Sequence, residues 1–143
     1  MNREEQGIQI AVFEWAKWME KQYPSLELMH HIPNGGKRSK AEAAIFKAMG
    51  VKSGVPDIFL PEPRGAYHGL YIELKSKKGK PSLGQTEMIE SLQSAGYLAC
   101  VCDSSEKAIK IIGKYLSLPK INMTYMLIEK YGEKFCDECK IEL

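Results

Sequence analysis

Apolar positions recur along this chain with two different periods, and each period predicts a different kind of element. From residue 5 to 22 they return every three or four positions, at Ile8, Val12, Trp15 and Met19, which is the spacing of an amphipathic helix. The same spacing predicts further helices over residues 39–49, 82–95, 104–116 and 125–131. Short apolar runs bounded by Gly, Pro and polar residues predict strands over residues 26–32, 56–60, 68–75 and 97–102.

The order of these elements predicts an α/β fold. Strands 56–60 and 68–75 are separated by a short turn-rich stretch, so we expect them to pair as an antiparallel hairpin. The strand at 97–102 follows a helix, and a helical crossover makes a strand pair in parallel with its neighbour. The remaining helices can cover both faces. The pattern therefore predicts a central mixed β-sheet flanked by helices.

The two hairpin strands carry a candidate chemical site. Asp57 follows Pro56 at the start of the first strand, and Glu73 and Lys75 lie two positions apart on the second. Side chains two apart on a strand project from the same face. Two carboxylates and an ammonium group on one patch of sheet can hold a divalent cation and a hydrolytic water. The alternative is that Asp57 caps a strand while Glu73 pairs with Lys75 on a solvated sheet face.

The basic residues are unevenly distributed, although the net charge is only +2. Residues 33–52 hold five basic side chains and one acidic side chain, and residues 64–80 hold the same numbers, so each segment has a net charge of +4. Both segments flank the acidic site in sequence, as expected for a surface that binds nucleic-acid phosphates. Two solvated, lysine-rich loops are the alternative.

Composition predicts one globular domain. The chain has 143 residues, of which 44% are apolar and 27% charged. No apolar run approaches the ~18 residues of a membrane span, and the polar N-terminal residues do not resemble a signal peptide, so a cytoplasmic location is expected.

The four cysteines predict no metal centre of their own. Cys100 and Cys102 alternate along a predicted strand and are expected to be reduced and buried. Cys136 and Cys139 have the spacing of half a zinc site, but no second pair of ligands lies nearby. We therefore expect no zinc there, and a zinc shared across a dimer is the minor alternative.

The residues of the candidate site also resemble a known family. The sequence Gly54-Val55-Pro56-Asp57 followed by Glu73-Leu74-Lys75 resembles the PD-(D/E)xK nuclease superfamily and, within it, the VRR-NUC (virus-type replication-repair nuclease) family. Further matching pieces are Glu14, the segment His31-Ile32-Pro33-Asn34-Gly35-Gly36, and Gln85 ahead of Gly96-Tyr97. The resemblance implies a restriction-endonuclease-like core within residues 1–118, with residues 119–143 as a C-terminal extension packed on the domain or trailing it.

The resemblance also implies a metal site and roles for its neighbours. The ligands of Mg²⁺ or Mn²⁺ would be Glu14, Asp57, Glu73 and the main-chain carbonyl of Leu74. Lys75 would orient the attacking water or help to deprotonate it, and Gln85 would lie near that water or the scissile phosphate. Two alternatives remain open: Glu14 as a solvated surface charge, and Gln85 as the closing residue of the capping box that begins at Ser82.

Two groups of residues are candidates for contact with DNA. Lysine and arginine side chains, together with main-chain amides of a glycine-rich turn, suit the phosphate backbone. The candidates are Asn34, Gly35, Lys37 and Arg38 before one predicted helix, and Lys77, Lys78 and Lys80 after the second hairpin strand. A plain turn between strand and helix is the alternative for the first group.

Together, the residues and the resemblance predict a metal-dependent DNA endonuclease. A small catalytic core offers little surface for reading bases, so branched DNA or four-way junctions are expected as substrates rather than a particular sequence. The resemblance implies a homodimer in a bacterium, or a viral protein in its host cell. The alternatives are a sequence-tolerant nicking or end-processing nuclease, and a DNA-binding module of the same fold without catalysis.

Overall fold

Four short strands form one mixed sheet in the computed structural model of the protein, which describes residues 1–33 and 39–121. The strands follow one another across the sheet in chain order: β1 (His30–His31), β2 (Ile58–Leu60), β3 (Leu70–Leu74) and β4 (Leu98–Cys102). β2 and β3 pair as an antiparallel hairpin in which Ile58 lies opposite Ile72. β4 pairs with β3 in parallel. The predicted hairpin and crossover are both confirmed.

In the described part of the chain, four α-helices accompany the sheet: α1 (Arg3–Met19), α2 (Lys40–Ala48), α3 (Leu83–Ser94) and α4 (Ser105–Leu116). Each begins at a side chain that accepts a hydrogen bond from the first turn, namely Asn2, Ser39, Ser82 and Ser104. Such caps satisfy backbone N–H groups that have no partner within the helix. The polar residue ahead of each apolar stripe therefore fixes where the helix starts.

The hydrophobic core lies between one face of the sheet and the helices α1 and α4. Alternate residues of β3 point into it, and they meet Val12 of α1 and Ile112 of α4, all of them almost fully buried. α3 packs on β4 and donates a hydrogen bond from Gln85 to Glu73, which projects from the opposite face of β3. Helices thus cover both faces, as the sequence predicted. The carboxylate-bearing face is the one on the side of α3.

The predicted strand at 26–32 is wrong for most of its length. Residues Pro24–Leu28 form a 3₁₀ turn, with Pro24 in its first turn and Leu26 buried beneath it. Proline lacks a backbone N–H but suits the start of a helical turn, and an apolar Leu26 serves a buried turn as well as a strand. Only His30 and His31 pair with β2.

Several predictions concern residues outside the described ranges. They are the DNA contacts of Asn34, Gly35, Lys37 and Arg38, the helix at 125–131, and the state of Cys136 and Cys139. Cys100 and Cys102 are both free thiols, with Cys102 buried and Cys100 partly buried. The domain boundary after residue 118 stays a prediction.

Candidate active site

A cleft of about 440 Å³ opens where the N-terminal end of β2, the C-terminal end of β3 and the start of α3 meet. Four residues singled out in the sequence line it: Asp57, Glu73, Lys75 and Gln85. The β2–β3 register explains the meeting, because pairing Ile58 with Ile72 brings Asp57 opposite Glu73 on the neighbouring strand. A hydrogen bond of 2.8 Å from the backbone N of Leu74 to Asp57 Oδ2 fixes the aspartate in this position.

Glu73 is the most deeply buried group in the cleft, with a relative exposure of 1%. Its Oε1 atom accepts hydrogen bonds from Lys75 Nζ at 2.6 Å and from Gln85 Nε2. Its Oε2 atom is buried and has no hydrogen-bond partner among residues 1–33 and 39–121. A buried carboxylate oxygen without a partner is energetically unfavourable. A cation at this oxygen would remove that deficit.

The electrostatics of the two carboxylates follow from their burial. Burial raises the pKa of Glu73 to about 7, against the opposing effect of the hydrogen bond from Lys75, and the nearby Asp57 raises it further. Burial also raises the pKa of Asp57, while the N–H of Leu74 lowers it. Two neighbouring carboxyl groups with raised pKa values share the cleft, and a bound cation would offset the repulsion between their ionised forms.

Gln85 forms the capping box that was one of its two predicted roles, and the role near the attacking water or the scissile phosphate stays a prediction. Its Oε1 accepts from the backbone N of Ser82 at 2.9 Å, and its own backbone N donates to Ser82 Oγ at 3.3 Å, so the capping box is present. Its Nε2 atom points the other way and donates to Glu73. One amide side chain therefore joins the start of α3 to the buried carboxylate.

Glu14 does not reach this cleft. It is exposed on α1, where it lines a shallow depression with Ile10, Phe13 and Lys17. Glu5 of the same helix lines the cleft instead, nine residues earlier or roughly 13 Å along the helix axis. Glu14 is therefore not brought together with Asp57 and Glu73, and Glu5 is the carboxylate of α1 that lines the cleft.

Glu5 is 7% exposed and holds two parts of the chain together. Its Oε2 accepts from the backbone N of Asn2 at 2.8 Å, and its Oε1 accepts from the backbone N of Ser76 at 3.2 Å. Burial is the main cause of the raised pKa of Asp57 and of Glu73, and the charge of Glu5 raises both further. The sequence feature that marks Glu5 is the capping box that it forms with Asn2 just ahead of the apolar stripe of α1.

The remaining predicted residues surround the cleft more loosely. Leu74 is fully buried and does not line the cleft, so the ligand role of its main-chain carbonyl stays a prediction. Lys77, Lys78 and Lys80 are exposed in the loop after β3. In the described part of the chain, no three His, Cys, Asp or Glu side chains are spaced as a ready metal site. Lys75 forms an ion pair with Glu73.

Comparison with known proteins identifies the class. The VRR-NUC domain profile matches residues 2–106 of the chain. A solved structure described as a VRR_NUC domain protein is 35% identical, with a TM-score of 0.71, and the match covers 85% of this chain and 95% of that chain. None of the curated proteins matches. The fold and these matches define a nuclease of the restriction-endonuclease-like superfamily.

Within that superfamily, the chain belongs to the VRR-NUC family, as its motifs predicted. None of the helices in residues 1–33 and 39–121 combines the length and the apolar content needed to cross a bilayer.

Gly54 determines how closely the loop before β2 approaches the start of α3. Its φ is +84°, and a Cβ atom built on it would lie 2.6 Å from the carbonyl oxygen of Gly84 and 3.4 Å from the backbone N of Gln85. No side chain fits in that space without moving the backbone that carries Gln85. Gly50 has a similar φ of +89° but has nothing within 4 Å of the same position.

We expect Gly54→Ala to lower the cleavage rate roughly tenfold and the free energy of unfolding by about 1–3 kcal/mol, since it adds a backbone collision to a left-handed conformation. Gly50→Ala is the matched control because it introduces the same conformational strain without the collision. Steady-state kinetics and urea unfolding of both variants test this. Equal effects of the two substitutions would mean that the contact with Gly84 does not position Gln85.

Proposed function

We propose that this nuclease hydrolyses phosphodiester bonds of DNA with the help of a divalent cation, and that it selects DNA by structure rather than by sequence. The observation that carries the proposal is the state of Glu73. Its carboxylate is buried, one oxygen is held by Lys75 and Gln85, and the other oxygen has no partner among the described residues. A buried carboxylate oxygen without a hydrogen-bond partner requires an explanation, and a bound cation would supply one.

The donor set suits Mg²⁺ or Mn²⁺, which prefer carboxylate and carbonyl oxygens. The ligands would be Asp57, Glu73 through its unpartnered oxygen, and the main-chain carbonyl of Leu74, with Glu5 as the carboxylate contributed by α1. When bound, the ion would stabilise negative charge on the scissile phosphate and lower the pKa of a water molecule.

The protein side chains would then orient the reactants. Lys75 is the cation closest to Glu73 and would turn its ammonium group toward the attacking water and a phosphate oxygen. Gln85, fixed by its capping box, would hold the water through its amide group. The bond from the water oxygen to phosphorus forms as the bond to the departing oxygen breaks, leaving 5′-phosphate and 3′-hydroxyl ends.

The substrate is proposed to be DNA with a branch, such as a four-way junction. Exposed Lys77, Lys78 and Lys80 border the loop between β3 and α3, where they would contact phosphates beside the cleft. Lys37 and Arg38 are also proposed to contact DNA phosphates. A homodimer would present two such clefts to the two strands of a junction, and sedimentation with and without DNA tests that assembly.

The decisive experiment measures cleavage of labelled single-stranded, duplex, flapped and four-way-junction DNA with Mg²⁺, with Mn²⁺ and with EDTA. We expect cutting only with a metal ion, fastest on the junction, and a loss of at least roughly 10²-fold in Asp57→Asn. A preference for duplex over branched DNA would favour a sequence-tolerant nicking nuclease.

Two glutamate variants test the corrected metal site. Glu5→Gln is expected to weaken metal affinity, whereas Glu14→Gln, the matched control on the exposed side of α1, should behave as wild type. Wild-type protein that binds these DNAs but cuts none of them with either metal would leave only a DNA-binding module.

A further inference from the structure

Helix α2 projects from the rest of the chain. All nine of its residues, and residues 49–53 after it, are exposed. No Cα atom of another helix or strand in residues 1–33 and 39–121 lies within 8 Å of a Cα atom of α2, although Met88 of α3 lines the same groove as Ala43 and Phe46. The apolar stripe that the sequence predicts for this helix therefore lies in solvent, with Ile45 59% and Met49 72% exposed. We call residues 39–53 the α2 arm.

A helix of this length is not stable without support. Isolated helices shorter than about 12–15 residues are marginal in water, and most helices in proteins are stabilised by packing of an apolar face. The capping box formed by Ser39 and Glu42 supports only the start of α2. An exposed apolar face on such a helix indicates a partner that covers it.

The position of the α2 arm limits where that partner lies. The chain leaves the sheet at Pro33 and returns at Ser53 and Gly54, and all three residues line the cleft that holds Asp57 and Glu73. The C-terminal end of the arm, at Ser53, therefore lies at the rim of the active-site cleft. A substrate held in the cleft would extend past this end of the arm.

The charge of the arm and its contact area distinguish between two candidate partners, a second copy of the chain and DNA. The arm carries Lys40, Lys47 and Lys52 against Glu42 alone, so two arms facing each other would repel. The arm has 15 residues, fewer than the roughly 20–30 that each side of a stable protein interface uses. A polyanion matches the lysines, and DNA-bending proteins insert apolar side chains between unstacked bases.

We propose that the α2 arm is a docking surface for branched DNA, in which the three lysines hold phosphates and Ile45 with Met49 fills the gap where bases unstack at the branch. The two side chains lie on one side of the helix, four residues apart. This inference rests on the proposed function and names the part of the protein that would recognise the branch. The arm would contribute to affinity and selectivity and not to the chemical step.

Binding is measured by fluorescence anisotropy in EDTA, so that no cleavage is required. Replacing Lys40, Lys47 and Lys52 together by alanine is expected to weaken binding to every DNA about tenfold or more, and to reduce the slope of log Kd against log salt by roughly two to three. The matched control replaces Lys17, Lys110 and Lys114, which are exposed on α1 and α4 over the other face of the sheet. It should leave both quantities nearly unchanged.

The double variant Ile45→Ser with Met49→Ser tests the apolar contribution. The ratio of duplex Kd to junction Kd is expected to fall at least roughly fivefold, with unchanged thermal stability because both side chains are exposed. An unchanged ratio, or a change of sedimentation state without a change in DNA affinity, overturns the inference and assigns the face to another partner. Cleavage of the same substrates by the wild-type protein is measured in parallel. It distinguishes a failure of the docking inference from a failure of the nuclease proposal.

Discussion

Lys75→Ala is expected to lower the single-turnover rate of DNA cleavage roughly 10²–10³-fold, the range seen when one pre-positioned donor is removed from an active site. The Lys75 ammonium lies 2.6 Å from Glu73 Oε1, and its side chain is 14% exposed, so its position is already restricted before DNA binds. No other lysine or arginine lines the described part of the cleft.

The experiment needs separate measurements of binding and chemistry. Kd for DNA in EDTA should change little in Lys75→Ala, because one ammonium among many lysines contributes little to total affinity. Single-turnover rates at saturating DNA isolate the chemical step, and Lys110→Ala on the far face is the charge-matched control. A Lys75→Ala protein that cuts at the wild-type rate would remove Lys75 from the mechanism.

Metal binding is expected to depend steeply on pH, because the ion must displace a proton from Glu73. The pKa of Glu73 rises from its ordinary 4.5 to about 7 in the folded protein, chiefly through burial. Mg²⁺ affinity should therefore rise about tenfold per pH unit below pH 7 and then level off, a change of roughly 100-fold from pH 5. Isothermal titration calorimetry across this range also measures the proton released.

The metal-free protein should show the opposite trend in stability. Glu73 keeps its proton up to a higher pH in the folded state than in the unfolded chain, and this difference adds to the free energy of unfolding. The added stability is complete below pH 4.5 and is lost as the pH rises through about 7. Its size is about 3 kcal/mol. Urea unfolding in EDTA should show this decline for wild type and for Glu90→Gln, an exposed control, but a much smaller one for Glu73→Gln. Equal declines in all three proteins would assign the effect to other groups.

The periodicity of apolar residues predicts most of this fold because burial imposes it. β3 buries Leu70, Ile72 and Leu74 on one face, and the position of Glu73 follows from that alternation. The deep burial of Glu73 does not follow from the alternation, since a charged residue between apolar residues is equally typical of a strand with one solvated face. That property depends on α3 covering the sheet, which is a tertiary contact.

The errors of the sequence reading have similar causes. Glu14 and Glu5 both lie on α1, and periodicity cannot tell which end of a helix approaches a site. The apolar stripe of α2 predicts a packed helix, but periodicity does not say whether the partner belongs to the same chain. The Gln85 side chain bonds to both Ser82 and Glu73, and the capping box in the sequence indicates only the contact with Ser82.

The double contact of Gln85 also bears on which amino acids this position can tolerate during evolution. Capping boxes accept glutamate as readily as glutamine at this position. A glutamate at residue 85 would begin α3 equally well, but it would set a carboxylate against Glu73 Oε1 and lose the N–H donor. Selection for catalysis would therefore discriminate between two residues that are equivalent for helix formation. A substitution of Gln85 by glutamate would impair the active site while leaving the stability of the helix start unchanged.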